Sequence, residues 1–553
     1  FFLLLIAPNV EVDPDEAPAK DVILVLDVSG SMEGEKLDQA KEAALFILEH
    51  LNPNDRFDIV AFSTGLRTFA GRMESAARWE EAAAFVGRLE ALGGTDINRA
   101  LLEALATADK ERPTMLIFLT DGLATEGVYE TPAILDNVRA AAGRNVRLFS
   151  FGVGDDVDTD LLDALALDHG GTSTYVRPGQ RLDEEVSAFY AKVSTPVLAD
   201  IELDFGDIVV EQLFPQPMPD LFAGTQLALV GRYRNGGPST TTLSGRVNGE
   251  PVSFSYHDHV FHSRSDDTRG FIARLWATRA IGHYLTQIRL HGENSEWVET
   301  IVNLSIRYGI ITPYTSFLID EDDIFTQTGR QNIADETEAE MLEDAAAPSY
   351  GAAAVDKAAE EGEMRWAEAP QSLPTIAAMS PDGSGQVQAA EVIKHVGSKT
   401  FVLRDGVWVD TTFDPTIMDP VQVGFLTDGY FDLVAAVPLL GDYFALGRQV
   451  TAVHDGTAYK VVDGEGEAIV IPVETPTAIT EGDEAATRER PADTTLAPTT
   501  QGTDEEKATP AATQEPQEPG GLCLGAIIVP GMLLGLAGAF TLGEGKGITR
   551  RDR

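Results

Sequence analysis

The chain has 553 residues, a formal net charge of −47 and a single cysteine, Cys523. That length exceeds one domain and suggests about two to four units. An acidic balance with no basic stripe excludes nucleic acid as the partner, and one cysteine excludes an internal disulfide framework.

The sequence opens on Phe1-Phe2-Leu3-Leu4-Leu5-Ile6 with no initiator Met, which reads as a fragment or processed form. The run is too short to span a bilayer and lacks the basic flank of a signal peptide. Residues 1–20 are therefore expected to be a lead-in strand and linker to the next domain.

Val22-Ile23-Leu24-Val25-Leu26 has the length and β-branched content of a buried central strand. Asp27-Val28-Ser29-Gly30-Ser31 follows at once. One carboxylate and two hydroxyls alternating along a strand-to-helix turn make a cluster of hard oxygens that suits a divalent cation. Leu37, Ala40, Ala44, Leu45, Leu48 and Leu51 then recur at helical spacing, and 56–63 reads as a second strand. Gly93-Gly94-Thr95-Asp96 offers a hydroxyl in a glycine-rich loop ahead of a helix over 97–108. Met115-Leu116-Ile117-Phe118-Leu119 is another buried strand, and Thr120-Asp121-Gly122 puts an aspartate at its end. A strand over 146–154 and a helix over 158–167 complete an alternation that implies a mostly parallel, doubly wound α/β sheet with helices on both faces. Open sheets of this kind bind ligands outside the carboxyl ends of the strands, where strand order reverses. Asp27 and Asp121 both stand at such ends.

This combination resembles the von Willebrand factor type A (vWA) domain, a Rossmann-like fold, over 21–195, and its metal-ion-dependent adhesion site. The resemblance implies that Ser29, Ser31 and Thr95 contact the ion directly and that Asp27 and Asp121 act mostly through water. The implied cofactor is Mg²⁺, or Mn²⁺ or Ca²⁺. An ion held by neutral hydroxyls stays electrophilic, and a partner's Asp or Glu carboxylate can complete it. That is recognition and not catalysis.

From 196 to 320 the pattern changes to short alternating runs broken by Gly and Pro, as at Asn235-Gly236-Gly237-Pro238, which predicts a β-sandwich-like module with helices. Helices are expected through Ile272, Leu275, Ile281, Tyr284 and Leu285, and through Val298, Ile301, Leu304 and Ile306. The segments 219–224, 272–277 and 308–317 resemble the region after the metal domain in inter-alpha-trypsin inhibitor heavy chains. That family normally carries an N-terminal β domain, and the fragment reading expects it to be missing from this sequence. Its glycosaminoglycan coupling uses Asp-Pro-His; Asp414-Pro415 and Asp419-Pro420 both lack the His, so that chemistry is not carried over. The 308–317 segment is expected to be a packed turn closing the β module.

Residues 321–385 read as an acidic linker or solvent-exposed helix, and 386–473 as a small β-rich module with hairpin turns at Asp405-Gly406 and Asp455-Gly456. The loop at 380–385 imitates a calcium loop, but Ser380 stands where Asp is required, and an ordinary turn is expected. Residues 474–521 are Thr, Pro and Glu rich, as in a disordered stalk. The uncharged run 522–542 is long enough for a transmembrane helix, and Lys546, Arg550, Arg551 and Arg553 make 543–553 a cytoplasmic tail. The expected location is the cell envelope, as a single-pass membrane protein with an extracytoplasmic N-terminal region.

No nucleophile elbow, zinc-protease motif or phosphate loop is present, so no enzyme activity is expected. His257, His259 and His262 cluster in the β region, and scattered surface histidines are the expected reading. The function expected is an adhesion or binding protein for a protein or extracellular-matrix ligand presenting Asp or Glu. The alternative is a scaffold subunit of a metal-dependent assembly or chelatase-like complex.

Overall fold

The computed structural model describes residues 1–8, 19–109, 112–247, 249–263, 269–292, 294–315, 318, 323–370, 377–379 and 386–467. The chain divides into two compact units, Phe1–Val402 and a second beginning at Leu403.

The first unit contains β1 (Phe2–Ile6), then β2 (Asp21–Asp27), α1 (Glu35–Glu49), β3 (Arg56–Phe62), β4 (Leu66–Thr68), β5 (Glu74–Ser75), α2 (Trp79–Gly87) and α3 (Ile97–Thr107). It continues with β6 (Thr114–Thr120), α4 (Thr131–Ala141), β7 (Val146–Val153), α5 (Thr159–Asp168), β8 (Ser173–Val176) and α6 (Leu182–Val193). One sheet runs β4-β3-β2-β6-β7-β8, with β5 also on β3. The ladders β3-β2, β2-β6, β6-β7 and β7-β8 are all parallel. Only β4 and β5 run antiparallel to β3.

Every residue of β2 and of β6 is buried. The pleat divides β2 between two cores, Val22, Leu24 and Leu26 facing α1 and α6, and Ile23 and Val25 facing α3 and α5. A strand covered on both faces reads as a continuous apolar run, which is why these strands are legible without alternation. Each such side chain contributes about 1.5–3 kcal/mol by leaving water. Strand order reverses between β2, which continues to β3, and β6 on its other side. The carboxyl ends of β2 and β6 thus meet at the switch point.

The apolar run at the N-terminus is a strand, but it does not lead the parallel sheet. β1 pairs antiparallel with β12 (Leu227–Tyr233), from Phe2 opposite Gly231 to Ile6 opposite Leu227. A Cβ on Gly231 would lie 2.6 Å from the Phe2 ring, so a glycine there lets the ring lie across the partner strand. β12 also pairs with β10 (Val210–Phe214) to make a three-stranded sheet. A four-stranded sheet faces it, built from β9 (Pro196–Asp204), β11 (Leu221–Phe222), β13 (Gly237–Val247) and β14 (Glu250–Phe261) in the order β11-β9-β13-β14. Leu4, Ile6 and Leu229 of one sheet pack with Leu198, Ile201 and Leu243 of the other.

Behind the three-stranded sheet lie α7 (Gly270–His291) and α8 (Ser295–Tyr308). Phe214 and Val230 pack on Trp276, Ala277, Ala280 and Ile281. The turn after α8 closes this helical layer rather than the sandwich. Tyr308, Ile310 and Tyr314 belong to the α7–α8 core, and the Tyr314 hydroxyl donates to Asp344. The segment expected as an acidic linker holds α9 (Gln327–Ala345) and α10 (Ala352–Arg365). α10 lies close along α7 because Gly282 has no side chain; a Cβ there would sit 2.6 Å from the Met364 Cβ.

In the second unit the strands Val407–Asp410, Val450–His454, Thr457–Val462 and Val421–Gly424 lie in that spatial order, with helices Asp428–Ala436 and Pro438–Phe444. Asp405-Gly406 and Asp455-Gly456 both turn with φ positive at both residues, the geometry of type I′ hairpins.

The location expected from the sequence is corrected. No helix among the described residues is long and apolar enough to cross a membrane, so a single-pass membrane protein is not supported. The expected anchor at 522–542, the stalk at 474–521 and the loop at 380–385 lie outside the described residues.

Candidate functional site

The residues singled out at the strand ends come together at the switch point. β2 ends on Asp27, whose Oδ1 accepts the Ser29 backbone N–H at 2.8 Å. This closes an Asx turn, a local bond that Asp favours wherever the backbone leaves a strand. The other oxygen, Oδ2, accepts from the Thr120 hydroxyl at 2.6 Å, tying the end of β2 to the end of β6. The Ser29 and Ser31 hydroxyls lie 3.0 Å apart, and Ser31 donates to Asp121 Oδ1 at 2.7 Å. Asp27, Ser29, Thr95 and Asp121 are buried, whereas Ser31 is exposed at the rim. Four of the five residues therefore form one network of oxygens.

Thr95 is tied to that network through its loop. Gly30 N–H donates to Gly93 O at 3.0 Å, and Leu92 N–H to Val28 O at 2.8 Å, so the loop lies directly against the serine turn. Gly93 takes φ +92°, and a Cβ there would meet Thr64 Oγ1 at 2.9 Å, so glycine is required on both counts. Thr125 Oγ1 accepts the Thr95 N–H at 2.9 Å, and Asp96 caps α3 through Arg99 N–H. Among the described residues no hydrogen bond joins the Thr95 hydroxyl to Asp27, Ser29, Ser31 or Asp121.

Two participants were not legible from the sequence. Lys36, in the first turn of α1, places its ammonium 2.6 Å from Asp121 Oδ2. Thr120 holds Asp27. A lysine nine positions after Asp27 gives no signal of its own, because its contact depends on how α1 crosses the end of β6. Thr120 could have been suspected from its place beside Asp121.

Burial pushes the Asp27 carboxyl up to about 6. The hydrogen bonds from Thr120 and Ser29 act in the opposite direction, and the nearby Asp121 charge adds to the rise. The side chains of Asp27, Ser29, Ser31, Thr95 and Asp121 all end in oxygens. Among the described residues no group of three or more His, Cys, Asp or Glu is placed to hold a metal, and that includes the histidines near β14. His257 and His259 instead contact Thr240 and Thr241, each at 3.1 Å.

Residues 20–175 match the family described as von Willebrand factor type A domain. This part of the chain is a vWA domain. The human inter-alpha-trypsin inhibitor heavy chain H4 is 31% identical over 325 residues, 55% of this chain and 35% of that protein. The heavy chain H1 of Mesocricetus auratus is 29% identical over 329 residues, again 55% of this chain and 36% of the relative. The chain is thus homologous to the heavy chains over about half of its own length, and it spans about a third of theirs. Among solved structures, a von Willebrand factor type A protein from Catenulispora acidiphila matches with a TM-score of 0.40 and 19% identity, covering 62% of this chain and 96% of that one. The ArnB paralog VWA2 from Sulfolobus acidocaldarius matches with a TM-score of 0.36 and 16% identity, covering 58% and 88%. The vWA domain and its heavy-chain relatives support a binding or adhesion protein of the vWA type.

Proposed function

We propose that the vWA domain binds a protein or matrix ligand through a divalent cation, Mg²⁺, Mn²⁺ or Ca²⁺, completed by an Asp or Glu of the partner. The observation that carries this reading is the union of Ser29, Ser31 and Asp121 in one hydrogen-bonded cluster at the sheet's switch point, with a cation, the Lys36 ammonium, already on the Asp121 carboxylate. A cluster of hydroxyls and carboxylates fits a hard ion and offers nothing to a soft one.

In this reading Ser29, Ser31 and Thr95 supply neutral oxygens, and Asp27 and Asp121 orient them and balance charge at one remove. The bound ion would supply an electrophilic position for a carboxylate. Asp27 prepares the turn by holding the Ser29 N–H, and Thr120 fixes Asp27 in place. Lys36 must leave Asp121 when a cation arrives, so the α1 end of the site is where binding and release are felt. We propose that the residues act by binding, in a recognition role and not an enzymatic one.

The test is titration of the chelator-stripped full chain with Mn²⁺, followed by water-proton relaxation, then by addition of an Asp-containing peptide. One saturable site is expected, with relaxivity falling as the peptide carboxylate displaces water. Unchanged Mn²⁺ binding in a Ser29→Ala/Asp121→Asn variant would sink the proposal.

A further inference from the structure

The loop 92–95 runs from the serine turn to a second turn, 125–127, in the connection between β6 and α4. At one end Leu92 N–H donates to Val28 O. At the other, Thr125 N–H and Glu126 N–H both donate to Thr95 O, at 2.9 and 3.2 Å, while Thr125 Oγ1 accepts the Thr95 N–H. These bonds fix the 125–127 backbone on Thr95. Gly127 turns with φ +69°, and a Cβ there would meet Asp96 Oδ1 at 2.6 Å, so glycine is what lets the two segments pass this closely.

Gly94 makes room for a side chain. A Cβ on Gly94 would lie 2.7 Å from Glu126 Cγ and 3.1 Å from Glu126 Oε1. The glutamate therefore lies across Gly94, one residue from Thr95. Glu126 is exposed, and among the described residues its carboxylate makes no ion pair or hydrogen bond. Thr95 is 4% exposed, and among the described residues its hydroxyl has no hydrogen-bond partner, which leaves it free to take an ion. Among the described residues no three of His, Cys, Asp or Glu gather to hold a metal, so Glu126 stands beside Asp27 and Asp121 without joining them.

A lone surface glutamate is ordinarily a solvated charge. This one is held beside the cluster by two glycines and by its own amide on Thr95 O, and the cations nearby do not neutralise it. Gly94 N–H donates to Thr64 Oγ1 just past the end of β3. Lys36 lies instead beside Gly154 at the end of β7, two strands beyond β2 on the other side, and its ammonium is on Asp121. Arg99, exposed in the first turn of α3, makes no ion pair with Glu126.

A partner carboxylate that completes an ion on Ser29, Ser31 and Thr95 arrives next to this charge. The neighbouring residue of the partner then meets Glu126. A second acid in that position is repelled, and a polymer with a carboxylate on successive sugars meets the same barrier. A base in that position finds an unpaired carboxylate. Resting on the cation reading above, we propose that Glu126 selects the partner: the anchor acid belongs to a protein segment in which a Lys or Arg adjoins it, and that base pairs with Glu126. Leu92, 77% exposed at the other end of the loop, gives the segment an apolar contact.

The probe is the full chain loaded with Mn²⁺ and titrated with short blocked peptides, Lys-Asp-Lys, Glu-Asp-Glu and Lys-Asn-Lys, followed by water-proton relaxation. Lys-Asp-Lys is expected to bind about fivefold tighter than Glu-Asp-Glu, with the gap narrowing as salt is raised. Lys-Asn-Lys, which has no anchor, is expected to leave the Mn²⁺-bound water in place. The gap is expected to collapse in Glu126→Gln and to reverse in Glu126→Lys. Glu49→Gln, the same loss of charge at the far end of α1, is expected to keep it. Equal affinity for the two Asp peptides, a gap that survives both Glu126 variants, an equal loss in Glu49→Gln, or water displacement by Lys-Asn-Lys overturns the proposal. If both Asp peptides bind equally, the cation reading stands and this inference alone falls; if neither lowers the relaxivity, both fall.

Discussion

Replacing Asp27 by Asn should stabilise the vWA domain in the absence of a divalent cation. Asp27 is fully buried at the end of β2, and burial raises its carboxyl to about 6. In the unfolded chain an aspartate titrates near 3.9. A carboxyl whose folded pKa is the higher one binds its proton more tightly when folded. Its contribution is therefore favourable at low pH and is lost as pH rises through the folded value. The difference of about two units corresponds to a penalty of about 3 kcal/mol at pH 7.5, roughly half of that at pH 5, and little at pH 4. Asn resembles the protonated acid: it can still accept the Ser29 N–H, and its amide can donate to the Thr120 hydroxyl after that rotor turns. The assay is native-state hydrogen exchange of the β2 amides in chelator, which isolates opening of this domain from the rest of the chain. Protection in Asp27→Asn should exceed that of the unaltered chain by about a hundredfold at pH 7.5, and the gap should close on acidification. An equal or less protected variant at pH 7.5, or a gap that widens toward pH 5, would show that burial of the Asp27 charge is not the controlling energy. On the proposed function the same variant should also lose Mn²⁺ binding.

Lys36→Met frees Asp121 from its ammonium and should tighten Mg²⁺ binding several-fold in calorimetry; unchanged affinity would mean that Lys36 does not compete with the ion. Arg289→Met leaves the buried Asp163 and Glu361 carboxylates without their cation and should cost about 3–5 kcal/mol, read as lost exchange protection in α5 and α10. A loss below about 1 kcal/mol would show that these carboxylates take up protons readily and tolerate the change.

Much of the vWA core was readable because β2 and β6 are covered on both faces, which leaves an uninterrupted apolar signature. The cluster on the turn after β2 was equally plain, since Asp27, Ser29 and Ser31 are within five residues and their contacts are local. The partner of β1 was not. Its apolar run specifies an extended strand, but strand pairing is decided by which sheet has an open edge of matching shape, and that edge is β12, more than two hundred residues away. The acidic stretch before the second unit was hard to read for a related reason. α9 buries only a few apolar side chains, among them Ile333 and Met341, so its composition resembles a linker even though the helix is packed.

What the sequence determined alone is a parallel α/β core and an oxygen-rich turn at its rim, because both are written in residues adjacent along the chain. Only the tertiary structure decided that Lys36 sits on Asp121, that β1 belongs to the sandwich, and that Arg289 gathers carboxylates from 72 to 129 positions away. The reason is physical. Periodicity and local hydrogen bonding act over a few residues, whereas the partner of a buried charge or an open strand edge is chosen by the packing of elements that the chain brings together only when it folds.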